Sequence, residues 1–135
     1  MQNFIYALIQ VIHNFGAATV VGAAASALWL ARGDAAVQRR LAMFAAAAWA
    51  VQAASGTLFG LTTYYFENHL PDIHGVAVDA LLIKIICAVA GFILAFAYAN
   101  SNSGWTKERG LLAWRILLAI GLVALGSAAF LRWFS

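Results

Sequence analysis

Four stretches of this chain carry no formal charge: residues 1–31, 41–66, 85–106 and 116–131. A helix needs about 20 apolar residues to cross roughly 30 Å of hydrocarbon. The first three windows exceed that length, and the fourth reaches it once Gly110 to Trp114 are added, with Arg115 snorkelling from near one end. Within a bilayer the backbone must satisfy its own polar groups, which leaves helices or closed barrels. Barrel strands would alternate with a period of two, and these Ala- and Leu-rich runs do not. Four helices therefore account for nearly all of the 135 residues as a single domain, 1–135, with connections too short to hold a soluble module. The balance agrees, with 64% hydrophobic and only 10% charged residues against about a quarter charged in soluble domains.

Charge placement predicts the orientation. Arg32, Arg39 and Arg40 lie between spans 1 and 2, and Lys107 and Arg109 between spans 3 and 4. The middle connection, YYFENHLPDIHG, holds Glu67 and Asp72 and no Lys or Arg. Basic loops stay on the cytoplasmic side. The expected fold is all-α: an integral membrane antiparallel four-helix bundle in a bacterial inner membrane, with both termini and the middle loop outside, in the periplasm. No basic region precedes span 1, so it does not read as a cleaved signal peptide. One cysteine, Cys87, excludes an internal disulfide and an iron–sulfur cluster.

Span 1, from about Phe4 to Ala31, contains His13. An ionisable ring in hydrocarbon is costly, so by default it marks a site or a buried hydrogen bond. His13, Gly16, Ala17, Val20 and Ala24 share one helical face, which is expected to look inward. The plain alternative is a hydrogen bond from His13 to Gln10, Asn14 or a facing carbonyl. Span 2, about Leu41 to Phe66, presents Gln52, Ser55, Gly56, Phe59 and Thr63 at helical spacing, and Gly56 with Gly60 forms G-x-x-x-G. That motif is either a packing notch or a slot for a flat cofactor. Antiparallel pairing would set it at the level of His13.

The middle connection adds Tyr64, Tyr65, His69, Pro71, Asp72 and His74. Two loop histidines five positions apart are capable of sharing a metal, although the spacing lacks the frame of a strong metal motif. Span 3, about Val76 to Ala99, opens with Asp79 and carries Lys84 deeper in, with Cys87 one turn further as an apolar filler. Lys84 either snorkels toward Asp79 and the headgroups or holds a bound anion: a haem propionate, a carboxylate or a quinone oxygen. NSNSGWTKERG forms the last connection, and span 4 runs on to the C-terminus.

HNFGAATVVGAAASALWL, around His13, and DALLIKIICAVAGFILAFAYAN, around Lys84, resemble the corresponding helices of the CopD-type copper-resistance membrane domain. The same pattern is similar to the HemJ-type protoporphyrinogen oxidases, another four-helix group with a span-1 histidine and a span-3 lysine. The HemJ-type group resembles itself in having Trp and His four and two positions before that lysine, where this chain has Ala80 and Leu82. The copper family implies copper uptake or tolerance, yet Met1 and Met43 are the only thioethers for a soft Cu(I) path. His13 and Lys84 alone carry over position by position.

Three functions follow as expectations. The first is a b-type haem protein transferring electrons between quinol and a periplasmic redox partner. His13 and His74 would be its axial ligands, with His69 a weaker substitute; Gly16, Gly56 and Gly60 would make room, and Lys84 or Tyr64 would meet the propionates. The second is copper handling through His13, His69 and His74. The third is a non-enzymatic structural or assembly subunit, whose small-residue surfaces favour a homo-oligomer or a place in a larger membrane complex. A nucleophile elbow, a phosphate loop, paired carboxylates and a basic nucleic-acid surface are all missing, which argues against hydrolases, nucleotide enzymes and nucleic-acid partners.

Overall fold

The computed structural model describes residues 1–101 and 104–134; Asn102 and Ser103 of the last connection, and Ser135, lie outside the described residues. Four helices make up the chain: α1 Gln2–Trp29, α2 Ala35–Glu67, α3 Val76–Asn100 and α4 Lys107–Phe134. Each is long and apolar enough to cross a membrane. Helix α2 begins well before the expected Leu41 and takes in Arg39 and Arg40. The reason is local: the Asp34 carboxylate accepts a hydrogen bond from the Val37 N–H at 3.0 Å, capping a helix that starts as soon as Gly33 has turned the chain. With 33 residues, α2 is about 50 Å long and outreaches the hydrocarbon at one or both ends. It stops at Asn68, whose left-handed backbone (φ 56°) returns its N–H to the Tyr64 carbonyl.

The helices touch as a ring, α1 on α2, α2 on α3, α3 on α4 and α4 on α1, so that α1 and α3 face each other across a diagonal without backbone contact. The size gradient across the bundle is the reverse of a water-soluble core. Ala24, Ala27, Ala42, Ala77 and Ala95 are fully enclosed, while Phe15, Phe44 and Ile86 point outward at 73%, 64% and 66% exposure. Lipid is as apolar as leucine, so nothing drives large side chains inward; small ones line the contacts because they let backbones approach.

Two layers of packing divide the interior. In one half, Trp114 and Tyr98 meet edge to face at 5.2 Å among the alanines of all four helices, and Tyr98 donates to Gln38 Oε1 at 2.8 Å. Gln38 in turn donates to the Ala27 carbonyl at 3.1 Å, and Arg39 Nε to the Ala99 carbonyl at 2.8 Å. Further along lies a second cluster of Val20, Ala48, Trp49 and Cys87. Trp49 packs closely against Gly91: a Cβ there would stand 2.3 Å from the indole. Beyond Trp49 the interior turns polar.

Candidate functional site

The polar region is built from α1, α2 and α3. Inside it, His13 is 8% exposed and both ring nitrogens are engaged. Nδ1 lies 2.7 Å from Ser55 Oγ, and Nε2 lies 2.9 Å from Lys84 Nζ. The network selects the tautomer. Ser55 has one hydroxyl proton and directs it to the Val51 carbonyl, 2.6 Å away, which can only accept. Ser55 therefore accepts from His13 Nδ1–H. Nε2 is left with its lone pair, and Lys84 donates to it.

Gly16 makes the approach possible. A Cβ at that position would stand 2.6 Å from Gln52 Nε2. Without it, the Gln52 amide slides in and donates to the His13 carbonyl oxygen, whose own helix places Ala17 below it. Phe59 closes the other side, edge-on to the imidazole at 6.0 Å, and stacks with Tyr6, whose hydroxyl pairs with Thr63 at 2.9 Å. Ala77 and Ala80 are the buried residues of α3 at its start. Lys84, eight residues into α3, is about 12 Å along its axis. It turns inward across the diagonal instead of pairing with Asp79, and makes no ion pair with any carboxylate among the described residues. An ammonium has three N–H donors; one is used by His13, and no other described side chain takes the remaining two.

The other expected site residues lie elsewhere. His74 is 83% exposed and pairs with Asp72 at 2.6 Å; His69, also exposed, meets the Leu70 carbonyl at 2.9 Å and Glu67 at 3.6 Å. Tyr64 faces outward. Gly56 and Gly60 do not notch against a neighbouring helix: a Cβ at either would meet nothing within 4 Å. Gln10 and Asn14 bond each other at 2.7 Å and leave His13 alone. No group of three His, Cys, Asp or Glu side chains able to hold a metal occurs among the described residues. Both ring nitrogens of His13 are hydrogen-bonded, and His74 Nε2 pairs with Asp72, so the structure does not bring the two expected axial ligands together. Sequence reasoning put Gln52 and Ser55 on one helical face of span 2 but did not count them in the site. The signal was their shared face, opposite His13.

Fold and site together define a class: a four-helix bundle of membrane-spanning length with a part-buried histidine–lysine pair across its diagonal. Compared with known family models, curated proteins and solved structures, the chain gives no match.

Proposed function

We propose that this chain is a membrane-embedded binding module that presents Lys84, backed by His13, Ser55 and Gln52, to an acceptor oxygen on a ligand dissolved in the bilayer. The quinone class suits it: a flat, apolar body bearing carbonyl oxygens. One observation carries the reading. The Lys84 ammonium is half-buried inside a helix of membrane-spanning length, with two N–H donors unused and no carboxylate to neutralise it among the described residues. Such a group is expensive in hydrocarbon and is retained where an acceptor completes it. His13 meanwhile holds the amine in place, and its Nδ1–H to Ser55 fixes the tautomer whose Nε2 lone pair accepts from Lys84.

The orientation proposed for the bundle is antiparallel, with both termini outside a bacterial inner membrane. Pairings of Gln2 with Glu67, Tyr6 with Thr63, His13 with Ser55 and Ala27 with Gln38 support the antiparallel part. The basic loops support the rest. The resemblance to CopD-type and HemJ-type membrane domains stays a proposal as well. In its favour, the two residues that carry it, His13 and Lys84, are the two that meet at 2.9 Å.

Binding of a short-tailed benzoquinone or naphthoquinone to the detergent-purified protein tests the reading. Wild type should bind one per chain, saturably, above partition into empty micelles. Loss of one hydrogen bond from a charged donor, about 1.5–3 kcal/mol, should weaken Lys84→Met by roughly 10- to 150-fold. Unchanged affinity in Lys84→Met would overturn it. So would a Soret band or stoichiometric copper in the purified protein.

A further inference from the structure

The opposite half of the bundle carries a second feature that the His13 centre does not use. Along the seam between α1 and α4 runs a groove of about 330 Å³, walled by Leu28, Trp29, Leu118 and Leu122 and headed by Arg32 and Arg115. On α4, Arg115, Leu118, Ala119 and Leu122 follow 3, 4, 7 spacing, so the cation and the apolar wall share one face. From Leu111 to Leu122 that face extends about 16 Å, the scale of an acyl chain.

Two arginines lining one groove carry like charges, which an anion between them would neutralise. Neither arginine forms an ion pair among the described residues. The acid nearest Arg32 in sequence, Asp34, caps α2, and the one nearest Arg115, Glu108, is exposed and lines no part of the groove. Arg115 is also placed eight residues inside a membrane-length helix, where its charge needs either snorkelling or a counter-charge. Trp29 adds an interfacial side chain at the mouth.

From these observations we infer that the α1–α4 groove is a binding site for an anionic phospholipid. Its phosphate is clamped between Arg32 and Arg115, and one acyl chain lies along Leu118 and Leu122. Guanidinium forks match phosphate oxygens in geometry as well as charge, and the leucines exclude a free phosphate as the full ligand. Of the other bases at this end, Arg39 donates to the Ala99 carbonyl and Arg40, Lys107 and Arg109 are exposed; none of them lines the groove.

Native mass spectrometry of the full chain after exhaustive detergent washing tests the site, titrated separately with phosphatidylglycerol, phosphatidylcholine and inorganic phosphate. One phosphatidylglycerol per chain should bind in preference to phosphatidylcholine. At about fivefold per basic residue near a membrane surface, Arg32→Gln with Arg115→Gln should weaken it about thirtyfold. Ala119→Phe, which fills the groove and keeps both charges, should also weaken it. Arg40→Gln, the same charge change away from the groove, should not. Equal loss in Arg40→Gln, equal binding of phosphatidylcholine, full competition by inorganic phosphate, or indifference to Ala119→Phe would each overturn the inference. Helicity and elution volume of each variant identify any that fail to fold; Ala119→Phe and Arg40→Gln alter only exposed positions and keep the test decisive.

Discussion

The hydrogen bond between Lys84 and His13 makes an unusually clean subject for a double-mutant cycle. A cycle reports a pairwise energy only if each single change leaves other contacts between the two elements alone. Helices α1 and α3 stand across the diagonal and do not touch through their backbones. The 2.9 Å contact from Nζ to Nε2 is the hydrogen bond that joins them among the described residues. Lys84→Met keeps the length of the stem and removes the donor. His13→Ala removes the acceptor together with the Ser55 contact, but that second loss appears in both arms and cancels. Interhelical hydrogen bonds inside membranes average about 0.6 kcal/mol and reach about 1.7. Those with a charged partner in water-soluble proteins reach about 1.5–3. Because the contact is part-buried and its donor is charged, the coupling energy should fall at about 1–2 kcal/mol. Reversible unfolding in mixed detergent micelles, with helicity as the signal, gives the four free energies. A coupling below about 0.3 kcal/mol would lie within ordinary additivity error. It would mean that Lys84 and His13 are neighbours that do not act as a unit, and the assigned tautomer would lose its support.

Other outcomes follow from single contacts. Gly91→Ala puts a Cβ 2.3 Å from the Trp49 ring, whose buried position leaves it little room to move, so overpacking should cost about 1–3 kcal/mol in the same unfolding measurement; a neutral result would refute the Trp49–Gly91 contact. Gly16→Ala would set a Cβ 2.6 Å from the Gln52 amide nitrogen and 3.3 Å from Val51 Cγ1; displacing that amide from the His13 carbonyl should cost about 1 kcal/mol. Gly56→Ala, with open space around it, should be neutral or slightly stabilising because alanine favours helix by up to about 1 kcal/mol. Asp34→Ala removes the cap on Val37 N–H and should cost about 1 kcal/mol, with faster amide exchange confined to the first turn of α2.

Four charge-free windows were enough to establish four helices of membrane length, because hydrocarbon allows a backbone so few solutions. The start of α3 at Val76 was legible for the same reason. The start of α2 was not: Ala35 to Arg40 carry charges that mark the edge of hydrocarbon, while helicity itself depends on the Asp34 cap and continues through them. Periodicity placed His13 on an inward face, and it lies there. Which partner would meet the ring was beyond reach of any spacing rule. Lys84 is 71 residues away and crosses a diagonal that depends on how four helices close into a ring. Loop histidines and a glycine motif looked equally chemical on paper, yet His74 ended in solvent against Asp72, and Gly56 faces open space. Sequence alone thus determined the solvent each segment requires, since hydropathy is a property of the residues themselves. Tertiary structure decided which polar groups share that oil, since a hydrogen bond depends on a few ångströms of separation that only the assembled helices set.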